Sequence, residues 1–261
     1  MWDQRFFDAE SGMFVDSWNR GFTELDDYRG VNANMHGVES LLAAADVTGD
    51  HGWRERALEI SRRVALEFAQ PHSWRIPEHY DAHWQPQLEH HRDRPDDPFQ
   101  PYGATVGHGL EWSRLLLHLE ASLADPPDWL LPAAEALFDR AVADGWAVDG
   151  SEGFVYTTDW DGRPVVRDRM AWVVAEAISA AAAPRMRTGD GRYADLAAGW
   201  WAYAERTLFD RTYGSWYQQL DANNQVIETV WPGKSDLYHA VQATLILQLP
   251  LAPTMATALA P

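Results

Sequence analysis

Four helix-opening signals recur along the chain at His36, His108, Trp172 and His239, separated by 72, 64 and 67 residues. A period of that length constrains the fold more than any other feature, because each period must close as one supersecondary unit that packs on its neighbours. Within each period, a stretch that is small or apolar on nearly every side precedes an amphipathic one. The predicted pairs are helices over 34–47 and 53–69, over 108–122 and from Pro126-Pro127-Asp128 through Ala141, and over 170–183 and 192–209. His239 opens a fourth cycle. The intervening segments 12–19, 74–86, 153–162 and 214–225 carry the turn residues of short strands and hairpins, including Asp161-Gly162.

A buried helix followed by an amphipathic one, repeated, predicts an all-α, toroid-like array of α-hairpins with the buried helices inside. In such an array the inner helices point the same way, and their first turns converge on one pocket. About seven main helices are expected, in a single domain over 1–261, because no linker or low-complexity segment divides the chain.

The chemistry at the helix openings follows from spacing. His108 and Glu111 are three residues apart, so they project from nearly the same helix face. The unpaired amides of a first turn disfavour imidazolium, and a neutral imidazole beside a carboxylate can move protons near pH 7. His36 repeats the pattern with Glu39 behind an Asn-rich cap, and His239 repeats it with Gln242 behind Ser235-Asp236. A lone histidine at such a place is ordinarily a capping residue; three at matching stations argue for a shared site.

Composition removes several alternatives. With 39 acidic against 21 basic residues, the net charge of −18 opposes nucleic acids and anionic membranes as partners. Without cysteine there is no thiol nucleophile, disulfide or cysteine metal site. No apolar run reaches the length of a membrane span, and the first residues lack a signal peptide's basic start and apolar block, so a cytoplasmic protein is expected. Fourteen tryptophans exceed an ordinary share. Most are expected in the core, and some are suited to stacking on sugar C–H faces.

Four segments carry a resemblance: Asn32-Ala33-Asn34-Met35-His36-Gly37-Val38-Glu39, Gly107-His108-Gly109-Leu110-Glu111-Trp112, Arg169-Met170-Ala171-Trp172-Val173-Val174-Ala175-Glu176, and Trp231-Pro232-Gly233-Lys234-Ser235-Asp236-Leu237-Tyr238-His239. Together they resemble the N-acylglucosamine 2-epimerase superfamily, most of all its mannose isomerase and aldose-ketose (including sulfoquinovose) isomerase branch. The resemblance implies an (α/α)6 barrel and a cofactor-free, metal-independent proton transfer on an open-chain sugar through a cis-enediol. It implies His239 as the base that carries the proton from C2 to C1, with His108, supported by Glu111, acting at the oxygens. His36 and Asn32 would hold hydroxyls, while Trp172, Glu176 and Trp231 would shape the pocket. Family members carry further helices, one of them arginine-bearing and in contact with substrate, ahead of the segment matching Met1. The array is therefore expected to be incomplete, with the flanks of its first and last helices available for self-association. Relatives also tend to be basic where this chain has Pro98-Phe99-Gln100.

Three other readings compete. Two His-x-x-Glu pairs suggest a di-metal bundle, but the order is reversed from Glu-x-x-His and both pairs open helices. Glu39, Glu111, Glu176 and Asp236 suggest an inverting glycosidase, which would not need the histidines. A 2-epimerase, or a sugar-binding remnant without catalysis, would use the same pocket.

Overall fold

The computed structural model describes residues 2–260. Its frame is three α-hairpins and a fourth inner helix. Helix α2 (Val31–Thr48) is followed by α3 (Gly52–Arg62), which runs on through a π-helical stretch, Arg63–Ala69. Next come α4 (Val106–Ser122) with α5 (Leu130–Gly145), α6 (Ala171–Thr188) with α7 (Gly191–Thr207), and α8 (Leu237–Leu245). These are the seven main helices that the periodicity predicts. A single turn, α1 (Trp2–Arg5), precedes them and another, α9 (Met255–Ala258), follows.

Composition sorts the helices. In α4 and α6 nearly every side chain is buried, including Trp112, Leu116 and Ile178, so protein surrounds both. Helices α5 and α7 bury one stripe each, Leu130, Ala134, Leu137 and Ala141 in the first and Tyr193, Ala197, Trp200 and Ala204 in the second. The inner helices pack in series, α2 on α4, α4 on α6 and α6 on α8, and each of the first three carries its outer partner. One apolar core lies around α2, α3 and α4, and a second around α6, α7 and their hairpins.

The entries to the inner helices differ from the expected caps. The backbone runs into α2, α4 and α6 directly from two-residue strands, β3 (Arg29–Gly30), β5 (Ala104–Thr105) and β7 (Arg169–Met170), with no side-chain cap at any of the three. Each strand pairs antiparallel with one that follows the outer helix of its hairpin. Gly30 faces His79 in β4 (His79–Tyr80), Thr105 faces Thr157 in β6 (Thr157–Thr158), and Met170 faces Gln219 in β8 (Gln219–Leu220). These seams hold all three entries at one end. Only α8 begins as the sequence suggests, with the Asp236 carboxylate accepting from His239 N at 3.1 Å.

The Asn-rich stretch before His36 has a different purpose. Asn34 is fully buried inside α2; its Oδ1 accepts from Phe14 N (2.7 Å), and its Nδ2 donates to Phe14 O and Gly30 O (both 3.0 Å). It thereby pins the N-terminal hairpin of β1 (Phe7–Asp8) and β2 (Met13–Phe14) onto the helix. The Asp161-Gly162 turn forms as predicted, but between backbone stretches 156–158 and 164–166 joined by hydrogen bonds and a single bridge, later than 153–162 implied.

At the opposite end the tail returns to the start of the array. His118 Nδ1 in α4 donates to Leu251 O (2.6 Å), Thr254 N donates to Asp46 Oδ2 (2.6 Å), and α9 packs on α2. The Tyr238 hydroxyl also donates to Glu39. The last inner helix thus reaches the first through that hydrogen bond, while Leu237, Tyr238 and Val241 on α8 remain exposed.

Candidate active site

The seamed end of the array holds a cavity of about 260 Å³, near the lower end of the range for small-molecule sites. His36, His108 and His239 line it together with Asn32, Glu111, Trp172 and Trp231. Residues more than 200 positions apart in the chain therefore meet at one place.

Trp172 contacts both histidines that enter from first turns. Its ring centroid lies 5.3 Å from that of His108 and 5.5 Å from that of His239. Gly107 permits this, since a Cβ there would come within 2.4 Å of the Trp172 ring. Each of these imidazoles carries a carboxylate on Nδ1. His108 Nδ1 donates to Glu78 Oε1 at 2.8 Å, and His239 Nδ1 donates to Glu176 Oε1 at 2.8 Å. When neutral, a histidine whose Nδ1–H is engaged this way keeps its lone pair on Nε2; when protonated, it presents an Nε2–H there instead.

His36 is placed differently from the sequence expectation. Counted from the strand end before each inner helix, the sixth residue is His36 in α2, Glu111 in α4 and Glu176 in α6; counted from the Asp236 cap, it is Gln242 in α8. His36 therefore sits on the second turn, one turn deeper than His108 and His239, and faces Glu111 at 3.9 Å. Its imidazole is held below the usual range, first by burial and then by the neighbouring His108 and His239, against the opposing pull of Glu39.

The carboxylates are also redistributed. Glu111, expected behind His108, lines the cavity but meets His36 and Arg114, while His108 takes Glu78. Glu176, expected to shape the pocket, is fully buried behind His239 and is not among the lining residues. Burial raises both groups, yet they diverge. Glu111 is pushed well above the ordinary carboxyl range by burial and by the charge of Glu176, whereas Glu176 is brought below it by Arg114 and the bond from His239. Glu111 Oε2 is buried and has no hydrogen-bond partner among the described residues.

His36, Glu39 and Glu111 bring ligand-type atoms within 4.8 Å of one another, a spacing that could hold a cation. Arg114 already bonds one oxygen of each carboxylate, so a guanidinium meets the charge that a metal ion would. Glu78, Arg114, Tyr156, Gln218 and the Pro98-Phe99 segment were not legible as site residues. Only Arg114 had a local signal, three residues after Glu111 on the same face.

Comparison with known proteins places this geometry. The N-acylglucosamine 2-epimerase family model matches residues 1–243. A D-mannose isomerase of Thermobifida fusca is 52% identical over 259 residues, which are 99% of this chain but 64% of that protein, so the chain spans less than two thirds of the relative. A crystal structure of D-mannose isomerase superposes with a TM-score of 0.87 at 30% identity, over 94% of this chain and 62% of the other. The cellobiose 2-epimerase of Spirochaeta thermophila shares the fold, with a TM-score of 0.76 at 18% identity over 94% and 61% of the two chains. The seven helices thus form an (α/α)6-barrel-type array, and the chain belongs to the N-acylglucosamine 2-epimerase family.

Proposed function

We propose that this chain interconverts an aldose and a ketose of the mannose and fructose type, by proton transfer through a cis-enediol. The observation that carries the reading is the meeting of His108 and His239, each backed by a carboxylate at 2.8 Å, across one cavity of monosaccharide size. In the open-chain aldose, His239 Nε2 takes the C2 proton while His108, entering the step as imidazolium with its Nδ1–H on Glu78, gives its Nε2 proton to O1, and the electron pair moves to form C1=C2. His108 then removes the O2 proton, the carbonyl forms at C2, and His239 returns its proton to C1. Every proton is conserved, and no redox partner is needed.

The other lining groups fit the same cycle. Asn32 and His36 hold sugar hydroxyls, and Trp172 and Trp231 present ring faces to C–H surfaces. Neither imidazole needs a metal in this scheme. The family also contains 2-epimerases, in which the proton would return to C2 from the opposite face. His108, the second carboxylate-backed imidazole lining the cavity, is the candidate for that return.

NMR of mannose incubated with the protein in deuterated water with EDTA tests the proposal. The expected result is fructose formation with deuterium entering at the exchanging carbon. A second aldose as sole product assigns the epimerase outcome, and no exchange with any hexose leaves a sugar-binding role. Loss of exchange on adding EDTA counts against the metal-free step.

A further inference from the structure

Arg114 is a buried charge held among three carboxylates. It is 3% exposed, lies one turn below Glu111 in α4, and is not among the residues lining the cavity. Its guanidinium meets carboxylates from three inner helices: Glu176 of α6 through Nε at 3.2 Å, Glu39 of α2 through Nη1 at 3.3 Å, and Glu111 through Nη2 at 3.5 Å. A planar fork with donors in fixed directions can do this; a lysine ammonium cannot point three ways with the same constraint.

Glu176 is held at both oxygens. Oε2 faces Arg114, while Oε1 accepts from His239 Nδ1 at 2.8 Å and from Gln242 Nε2 at 3.2 Å. With each oxygen committed, the carboxylate is fixed against rotation about its last bond. We propose that Arg114 is the positioning residue for His239: by holding one oxygen of Glu176 it fixes the other on Nδ1 and leaves Nε2 bare toward the sugar. The inference rests on the reading of His239 as the base, and adds what keeps that base in one tautomer. The second histidine lacks this arrangement, since Glu78 has no ion-pair partner other than His108 among the described residues.

The test compares Arg114→Met and Arg114→Lys with the unaltered protein, using the nitrogen chemical shifts of 15N-labelled histidine in the absence of sugar and the mannose rate. In the unaltered protein His239 should carry its proton on Nδ1. In Arg114→Met the two tautomers should mix, and kcat should fall about 10- to 100-fold, the usual loss when the partner behind an orienting group is removed, with KM little changed. Arg114→Lys should fall between, and it carries the test if the methionine variant does not fold. A wild-type His239 spectrum in the folded variants, or a loss confined to KM, overturns the proposal. The spectra are read without turnover, so an inactive parent with the expected His239 tautomer counts against the isomerase reading and not against Arg114.

Discussion

The two histidine–carboxylate pairs are alike in front and unlike behind. Both join Nδ1 to a glutamate at 2.8 Å, and both rings lean on Trp172. Behind His239, however, Glu176 stands on the second turn of a buried helix, gripped by Arg114 and Gln242. Behind His108, Glu78 comes from the irregular segment just before β4, with one ion-pair partner among the described residues. The difference suits the proposed division of labour. A base that takes a proton from carbon and returns it to carbon gains from a fixed tautomer, whereas a group that alternately gives and takes protons at oxygens needs an easier change of state.

Removing either imidazole should produce the largest effects and set the scale. His239→Ala is expected to abolish exchange at the carbon, at least ~10³-fold, with unchanged circular dichroism. Exchange retained in a folded variant would remove His239 from its role. Next come the backing carboxylates. Glu176→Gln is expected to lower kcat about 100-fold and Glu78→Gln about tenfold, on the scale seen when an orienting carboxylate is lost. Equal losses would erase the distinction drawn here, and a larger loss at Glu78 would reverse it.

Acid stability probes the surroundings of each pair. His79 adjoins Glu78, and His118 lies one turn beyond Arg114 in α4; burial pushes both imidazoles down to about 4. Because these folded-state values are lowered, the unfolded chain binds the protons first. Their contribution is complete above about pH 6.5 and is lost as pH falls toward 4. Each group is expected to account for up to about 3 kcal/mol of that loss. Urea titrations at pH 7, 5.5 and 4.5 should show a shallower decline in His79→Asn and in His118→Asn, and parallel declines would sink this assignment. The smallest effect is expected from Gly107→Ala, which crowds the Trp172 ring. KM for mannose should rise severalfold, on the order of 1 kcal/mol of binding, with altered ring-current shifts at both His108 and His239. Shifts at His108 alone would mean that Trp172 does not couple the two sides.

Much of this arrangement was legible in the sequence because helices announce themselves by period. The seven main helices, the alternation of buried and amphipathic members, and the meeting of residues 36, 108 and 239 all follow from spacing. Two-residue strands have no period to detect, so the seams went unseen, and with them the true register of α2. The similarity of His36-Gly37-Val38-Glu39 to His108-Gly109-Leu110-Glu111 aligns the two histidines, yet the strand ends place His36 level with Glu111. Glu78 was hidden for another reason. It reaches His108 from 30 residues upstream, across a segment whose sequence gives no hint of where it lies. Asp236, whose cap acts within three residues, was readable.

The backbone seams have a consequence for how such a protein can change. Gly30 with His79, Thr105 with Thr157, and Met170 with Gln219 each fasten the two mouths of a loop roughly fifty residues long. Whatever is inserted, trimmed or recoiled inside such a loop, at the far ends of the hairpins, leaves its fastening where it was. The reactive rim is thereby insulated from the variable outskirts, and the outer helices can drift in length and composition without moving an imidazole.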